Sequence, residues 1–154
     1  MLIVDTALRK RAEENNPIRV GILGAGFMCQ GLANQIANSV PGMRLAAISN
    51  RRPERALNVL AYAGFEGAKL SGSQSALDET IRSGKPAATE DALLLARSPE
   101  IDVLVDTTGS VEFGARLVLE AFKHGKDVVL MNAEIDATIG PILHVHARRH
   151  GRIL

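Results

Sequence analysis

The stretch Ile18-Arg19-Val20-Gly21-Ile22-Leu23-Gly24-Ala25-Gly26-Phe27-Met28 is a short apolar run that empties into a glycine loop and then takes up a helical pattern as far as Asn38. A run of this length, bounded by Pro17 on one side and glycine on the other, suits a strand covered on both faces. The glycines that follow have separate tasks. The backbone must turn sharply at Gly24, while the missing Cβ of Gly26 lets a phosphate group approach the chain. The free amides of Phe27 and Met28, at the positive end of the helix dipole, then face that negative charge.

Working outward, Met43 to Ser49 repeats the strand signature, and Pro53 stands where a proline opens a helix, which continues to Ala63. The rhythm resumes with strands at 87–89, 103–106 and 127–131, helices at 91–97, 111–124 and 139–150, and a strand start at 152–154. A leading amphipathic helix is expected at 2–15, ended by Asn15-Asn16-Pro17. Residues 64–86, rich in Gly and Ser, read as a surface insertion with one short helix at 75–82. Strands alternating with helices through short loops call for an α/β fold, a Rossmann-like doubly wound parallel sheet with helices on both faces, in one domain over 1–154. The chain stops as its final strand begins, so a fragment lacking a second domain is expected.

Composition narrows the partners. The chain has 154 residues, 46% hydrophobic, enough for a real core. Its 18 Lys and Arg against 17 Asp and Glu leave a net charge of +1, intermixed in sign, which gives no support to nucleic-acid or anionic-membrane binding. One cysteine cannot form an intrachain disulfide, and neither a leader pattern nor a run long enough to span a bilayer is visible. A reducing, cytoplasmic setting is expected.

Polar residues collect where strands end, the edge at which open α/β sheets bind ligands. The second strand ends Ser49-Asn50-Arg51-Arg52. An acid there would accept hydrogen bonds from ribose hydroxyls. Guanidinium forks instead suit a phosphate, which argues for the 2′-phosphorylated nicotinamide cofactor NADP(H), with either arginine able to serve. Thr107, Thr108 and Gly109 can line the ribose and nicotinamide side, with Ser110 as a natural cap for the helix that follows. Asn132 can bond the cofactor's ribose or carboxamide, and Glu134 and Asp136 either reach a ligand or favour the start of a helix.

Cys29 occupies the third glycine position of the dinucleotide fingerprint, with Gly31 two residues on as a substitute contact. A small residue wedged between helix and strand accounts for it better than a nucleophile, because no histidine lies nearby in sequence. His146 and His150 have the i, i+4 spacing of a metal pair, yet no third ligand is evident and Arg148 and Arg149 disfavour a cation; no metal is expected.

Taken together, Gly24 to Met28, Ser49-Asn50-Arg51, Asp106-Thr107-Thr108-Gly109-Ser110, Val128 to Glu134 and Thr138-Ile139-Gly140-Pro141 resemble the N-terminal part of homoserine dehydrogenase-like oxidoreductases that carry an SAF domain, a group that includes deoxyxylulose-phosphate reductoisomerase-like enzymes. The resemblance implies an NADP-linked oxidoreductase acting on a small polar substrate. It also implies a full-length chain that continues into a catalytic and oligomerisation domain and works as a homo-oligomer. On that reading Gly24, Gly26, Phe27 and Met28 hold the pyrophosphate, Asn50, Arg51 and Arg52 select the 2′-phosphate, and Thr107, Thr108, Gly109, Asn132 and Glu134 frame the nicotinamide. No catalytic acid or base is assigned. The chain departs from the family at Cys29 and at Ala133, where homoserine dehydrogenases carry lysine, which argues against homoserine as substrate. A nucleotide-sensing regulatory module is the rival reading, since fold alone never fixes function.

Overall fold

In this computed structural model, which describes residues 3–154, α1 (Ile3–Glu13) leads into β1 (Ile18–Leu23), α2 (Phe27–Asn38), β2 (Met43–Ser49) and α3 (Pro53–Tyr62). There follow β3 (Lys69–Leu70), α4 (Gln74–Arg82), β4 (Ala87–Thr89), α5 (Ala92–Arg97), β5 (Val103–Asp106), α6 (Val111–Lys123), β6 (Asp127–Leu130) and α7 (Ala133–Arg149). Leu2, part of the expected leading helix, lies outside the described residues.

The six strands form one parallel sheet in the order β3-β4-β2-β1-β5-β6. Alternation along the strands, interrupted in β2 where Ala46 and Ala47 face the same side, supplies two cores. Val20, Ile22, Leu45 and Ile48 pack with Ala33 and Ile36 of α2 and Ala56 and Leu60 of α3. On the other face Ala47, Ala87, Leu104 and Val128 meet Leu77 of α4, Leu95 of α5, Leu117 and Phe122 of α6 and Leu143 of α7. Rossmann-like winding with helices on both faces is thus the architecture. The direction of winding reverses between β1 and β5, and the loops leaving these two neighbours open a crevice at the sheet's carboxyl edge.

Between β1 and β2 the register slips once, between Val20 and Gly21: Val20 pairs with Leu45, but Gly21 pairs with Ala47. The slip absorbs one residue, so that six-residue β1 and seven-residue β2 both start level, at Ile18 and Met43, and end level, at Leu23 and Ser49.

Three sequence expectations are corrected. Residues 64–86 are not a surface insertion: β3 extends the sheet beyond β4, and α4 buries Leu77 and Ile81 in the core. Helix α7 starts at Ala133 rather than 139, because Asn132 caps it and Glu134 and Asp136 sit in its first turn; Pro141 is accommodated inside. No strand forms at 152–154, although Val128 N donates to Ile153 O at 2.9 Å and so ties this segment to the outer side of β6.

The amino-terminal edge is locked by charge. Arg19 of β1 forks onto Asp102, with Nη2 to Oδ1 at 2.7 Å and Nε to Oδ2 at 3.0 Å, and reaches Glu100 with Nη1 at 2.8 Å. Burial acts to raise the Asp102 carboxyl, but the hydrogen bonds and charge of Arg19 outweigh it and leave the group below the usual carboxylate range. In return, the bond to Asp102 raises Arg19. Nearby, burial pulls Lys126 down.

Candidate functional site

The glycine loop is built by two constraints. Gly24 has φ +97°, a region that L side chains avoid, and its N–H donates to Ser49 O at 2.8 Å, tying the loop to the end of β2. A Cβ there would also stand 3.0 Å from Thr107 Oγ1. Gly26 is different. It occupies the N-cap of α2 in ordinary extended backbone, and a Cβ would meet nothing within 4 Å. Its hydrogen faces open space. The N–H groups of Phe27 and Met28, in the first turn, have no acceptor within the helix, as at any helix start. Their side chains point away into solvent, 88% and 51% exposed, so any contribution from these two residues to a ligand comes from backbone alone.

Opposite this loop, the β5–α6 connection is held from below. Asp106, fully buried at the end of β5, accepts Thr108 N at 2.8 Å and Asn132 Nδ2 at 3.3 Å. Gly114 of α6 makes room for it, since a Cβ there would run into the Asp106 carboxylate and Ile135. Thr107 turns back to β1, with both N and Oγ1 donating to Leu23 O, at 2.9 and 2.8 Å. The outcome is a short shelf, Thr107 to Ser110, fixed at the same level as the glycine loop.

These elements enclose a cleft of about 530 Å³ lined by Gly24 to Gly26, Ser49 to Arg51 and Thr107 to Ser110, together with Arg55, Glu90, Ala92 and Phe113. Its size suits a cofactor. A second hollow of about 440 Å³ lies by Lys69 to Ser71 and the solvent side of α4, at the outer strand, far from the converging loops. The end of β2 is anchored by Asn50, whose N donates to Thr89 O and whose Nδ2 donates to Arg52 O, each at 3.0 Å. Arg51 and Arg55 are exposed and have no carboxylate partner among the described residues. Against Glu90 they leave the ionisable groups of the lining with an excess of positive charge.

Of the residues singled out in the sequence, Gly24, Gly26, Asn50, Arg51, Thr107, Thr108 and Gly109 meet in this one cleft. Arg52 does not; it occupies the N-cap position of α3, and Arg55, in the first turn of α3, joins Arg51 in the lining. Asn132 is 1% exposed and spent internally, its Oδ1 capping α7 through Ile135 N at 3.3 Å and its Nδ2 bracing Asp106. Glu134 is exposed in the first turn of α7, outside the cleft lining. Ser110 holds the N-cap position of α6 without a side-chain cap bond.

Cys29 is fully buried against the sheet, and burial pushes its thiol up to about 12, which removes any nucleophilic role. Gly31 does not substitute for a third fingerprint glycine, because nothing lies within 4 Å of where its Cβ would be. Arg55, Glu90 and Phe113 were missed. A helical phase drawn from Pro53 would have placed Arg55 on the side of Arg51, whereas nothing in the residues around Glu90 or Phe113 signals a cleft.

The family model described as "Homoserine dehydrogenase, NAD binding domain" matches residues 24–154. The homoserine dehydrogenase of Pseudomonas aeruginosa is 27% identical over 146 residues, covering 90% of this chain but 28% of its own length. That of Methylobacillus glycogenes is 26% identical over 121 residues, 79% of this chain and 26% of the relative. The chain therefore spans about a quarter of the length of the curated relatives it matches. Among solved structures, the homoserine dehydrogenase of Thiobacillus denitrificans superposes with TM-score 0.62 at 24% identity, covering 88% of this chain and 28% of that one. KijD10, a 3-ketoreductase from Actinomadura kijaniata solved with TDP-benzene and NADP, gives TM-score 0.67 at 22% identity, covering 90% and 37%. At these identities the structural likenesses carry the fold.

Proposed function

The chain belongs to the family of homoserine dehydrogenase NAD-binding domains, making it the NAD(P)-binding domain of a homoserine dehydrogenase-like oxidoreductase, and from that premise we propose that its cofactor is NADP(H). The observation that carries the choice is that Arg51 and Arg55 both line the cleft, neither with a carboxylate partner among the described residues, and with no acid at the end of β2. A ribose carrying only hydroxyls would leave two guanidinium groups without an anion, whereas a 2′-phosphate accepts from both forks. KijD10 was solved with NADP, but the myo-inositol dehydrogenase of Lactobacillus casei, with TM-score 0.54, was solved with NAD(H). The fold accommodates both nucleotides, so the choice rests on residues 50–55.

The open space before Gly26 and the free amides of the first turn of α2 fit a pyrophosphate. Thr107, Thr108 and Gly109 then border the nicotinamide half, held in place by Asp106 and Asn132 rather than by ligand contacts of Asn132 itself. When bound, the nicotinamide gives or takes a hydride; this chain's residues orient it and bind the phosphates. The substrate, a small polar molecule, is held mainly by a catalytic and oligomerisation domain of the kind that the longer relatives leave room for, and an SAF domain and reductoisomerase-like chemistry belong to the same proposal. Ala133 in place of lysine supports a substrate other than homoserine. Cytoplasmic residence follows the same reading; among the described residues no helix is long and apolar enough to cross a membrane.

Calorimetric titration with NADPH and NADH tests the choice. NADPH should bind at least about tenfold tighter, the worth of one charge-assisted contact in a partly exposed cleft. Arg51→Ala and Arg55→Ala should each erode the preference, and Arg52→Ala, outside the cleft, should leave it intact. Equal affinity for the two nucleotides, or a loss confined to the Arg52 variant, refutes it.

A further inference from the structure

We infer that the ring of Phe113 is the wall against which the nicotinamide packs, and hence the residue that holds the reactive end of the cofactor; this rests on the cleft holding a nicotinamide dinucleotide. Phe113 lies in the first turn of α6. The core-facing residues of that helix, Gly114, Leu117, Val118, Ala121 and Phe122, are all buried, and Phe113 falls off this stripe, 42% exposed, where it lines the cleft. The side chain thus sits at the cleft rather than in the core, with a large part of the ring open to it. It offers a flat apolar face to whatever the cleft receives.

The orientation of the ligand says which part that is. The anion-binding start of α2 sits at the middle of the cleft, between the loop leaving β2 and the loop leaving β5. Arg51 and Arg55, which suit a phosphate on the adenosine side, stand at the β2 end. Phe113 stands at the β5 end, beside Gly109 and Ser110, which present little or no side chain of their own. Nothing lies within 4 Å of where a Cβ of Gly109 would be, so the shelf in front of the ring is open. Phe27 and Met28 are more exposed but absent from the lining. Among the described residues Phe113 is the aromatic side chain on the cleft wall, and it faces the half of the dinucleotide that ends in a flat, weakly polar ring.

The test separates the two halves of the ligand. Dissociation constants are measured on the 154-residue chain for NADPH and for 2′-phospho-ADP-ribose, which keeps the pyrophosphate and the 2′-phosphate and lacks the nicotinamide. Phe113→Ala should weaken NADPH about tenfold, the scale of removing one ring-stacking partner, and leave 2′-phospho-ADP-ribose within about twofold of the unaltered chain. Phe113→Leu, which keeps apolar bulk without a π face, should fall between, and the emission of bound NADPH should move toward that of free NADPH in the same order. Equal losses for both ligands, or none for either, overturn the assignment to Phe113 while leaving the nucleotide reading standing. Failure of the unaltered chain to bind either ligand overturns both.

Discussion

Two glycines two residues apart should respond to alanine in opposite ways. At Gly24, φ +97° puts a side chain in a region that costs about 1–3 kcal/mol, and the new methyl would press on Thr107 Oγ1, already committed to Leu23 O. A loss of about 2–3 kcal/mol is expected, or about 4–12 °C in Tm for a domain of this size. At Gly26 the backbone is extended and the Cβ would meet nothing, so strain contributes nothing. Alanine is a poorer N-cap than glycine by about 0.5–1 kcal/mol, but it removes a similar amount of unfolded-state freedom. The two effects offset, and Tm should stay within about 2 °C of the unaltered chain. Nucleotide affinity should nevertheless fall about thirtyfold, because a methyl in that opening holds the pyrophosphate off the amides of α2 and forfeits about 2 kcal/mol of charge-assisted hydrogen bonding. Thermal unfolding and NADPH titration on the two variants decide the matter. If Gly26→Ala binds normally, or loses as much stability as Gly24→Ala, the assignment of separate tasks to these glycines is wrong.

Other consequences can be checked with simple measurements. Asp102 is held below its ordinary carboxylate value, so its contribution to stability is complete above about pH 4 and is lost as pH falls through the lower folded value. Asp102→Asn should cost only about 1 kcal/mol at neutral pH, because the pair is partly exposed and screened, and should flatten the loss of stability below about pH 4 in urea titrations. Asn132→Ala removes the cap of α7 and one partner of a buried carboxylate, and about 2–4 kcal/mol should disappear from the urea unfolding free energy. With its thiol pushed up to about 12, Cys29 is thiolate in only about one molecule in ten thousand at pH 8, and it should react with an aromatic disulfide reagent no faster than the chain unfolds.

Legibility followed punctuation. Strand β1, helix α2 and strand β2 have the bounds read from the residues, because Pro17, the glycine loop and the polar end of each run mark them. Strand β3 left no such mark: two residues cannot display a period, and the Gly and Ser around Lys69–Leu70 resemble an insertion more than an edge strand. The site divided along the same line. Backbone features such as Gly24 and Gly26 were visible from spacing, whereas the choice between Arg52 and Arg55 depends on the turn of α3, and Phe113 reveals itself only when its helix is docked. Asn132 misled because a polar residue at a strand end looks the same whether it faces a ligand or braces a buried neighbour.

The slip between Val20 and Gly21 works as a vernier. Neighbouring strands of unequal length would ordinarily deliver their exit loops at different heights, like stairs. By taking up Ala46 without a partner, β2 gains one residue of length and still finishes flush with β1, so that the glycine loop and Asn50 leave the sheet from a common floor. Removing Ala46 would leave six residues facing six, with every pair from Ile18–Met43 to Leu23–Ser49 kept and Leu45, Ala47 and Ile48 in plain alternation between the two cores, so the floor should stay level. The height at which the two loops leave the sheet thus depends on the pairs at the strand ends, Leu23 with Ser49 above all, and not on the number of residues between them.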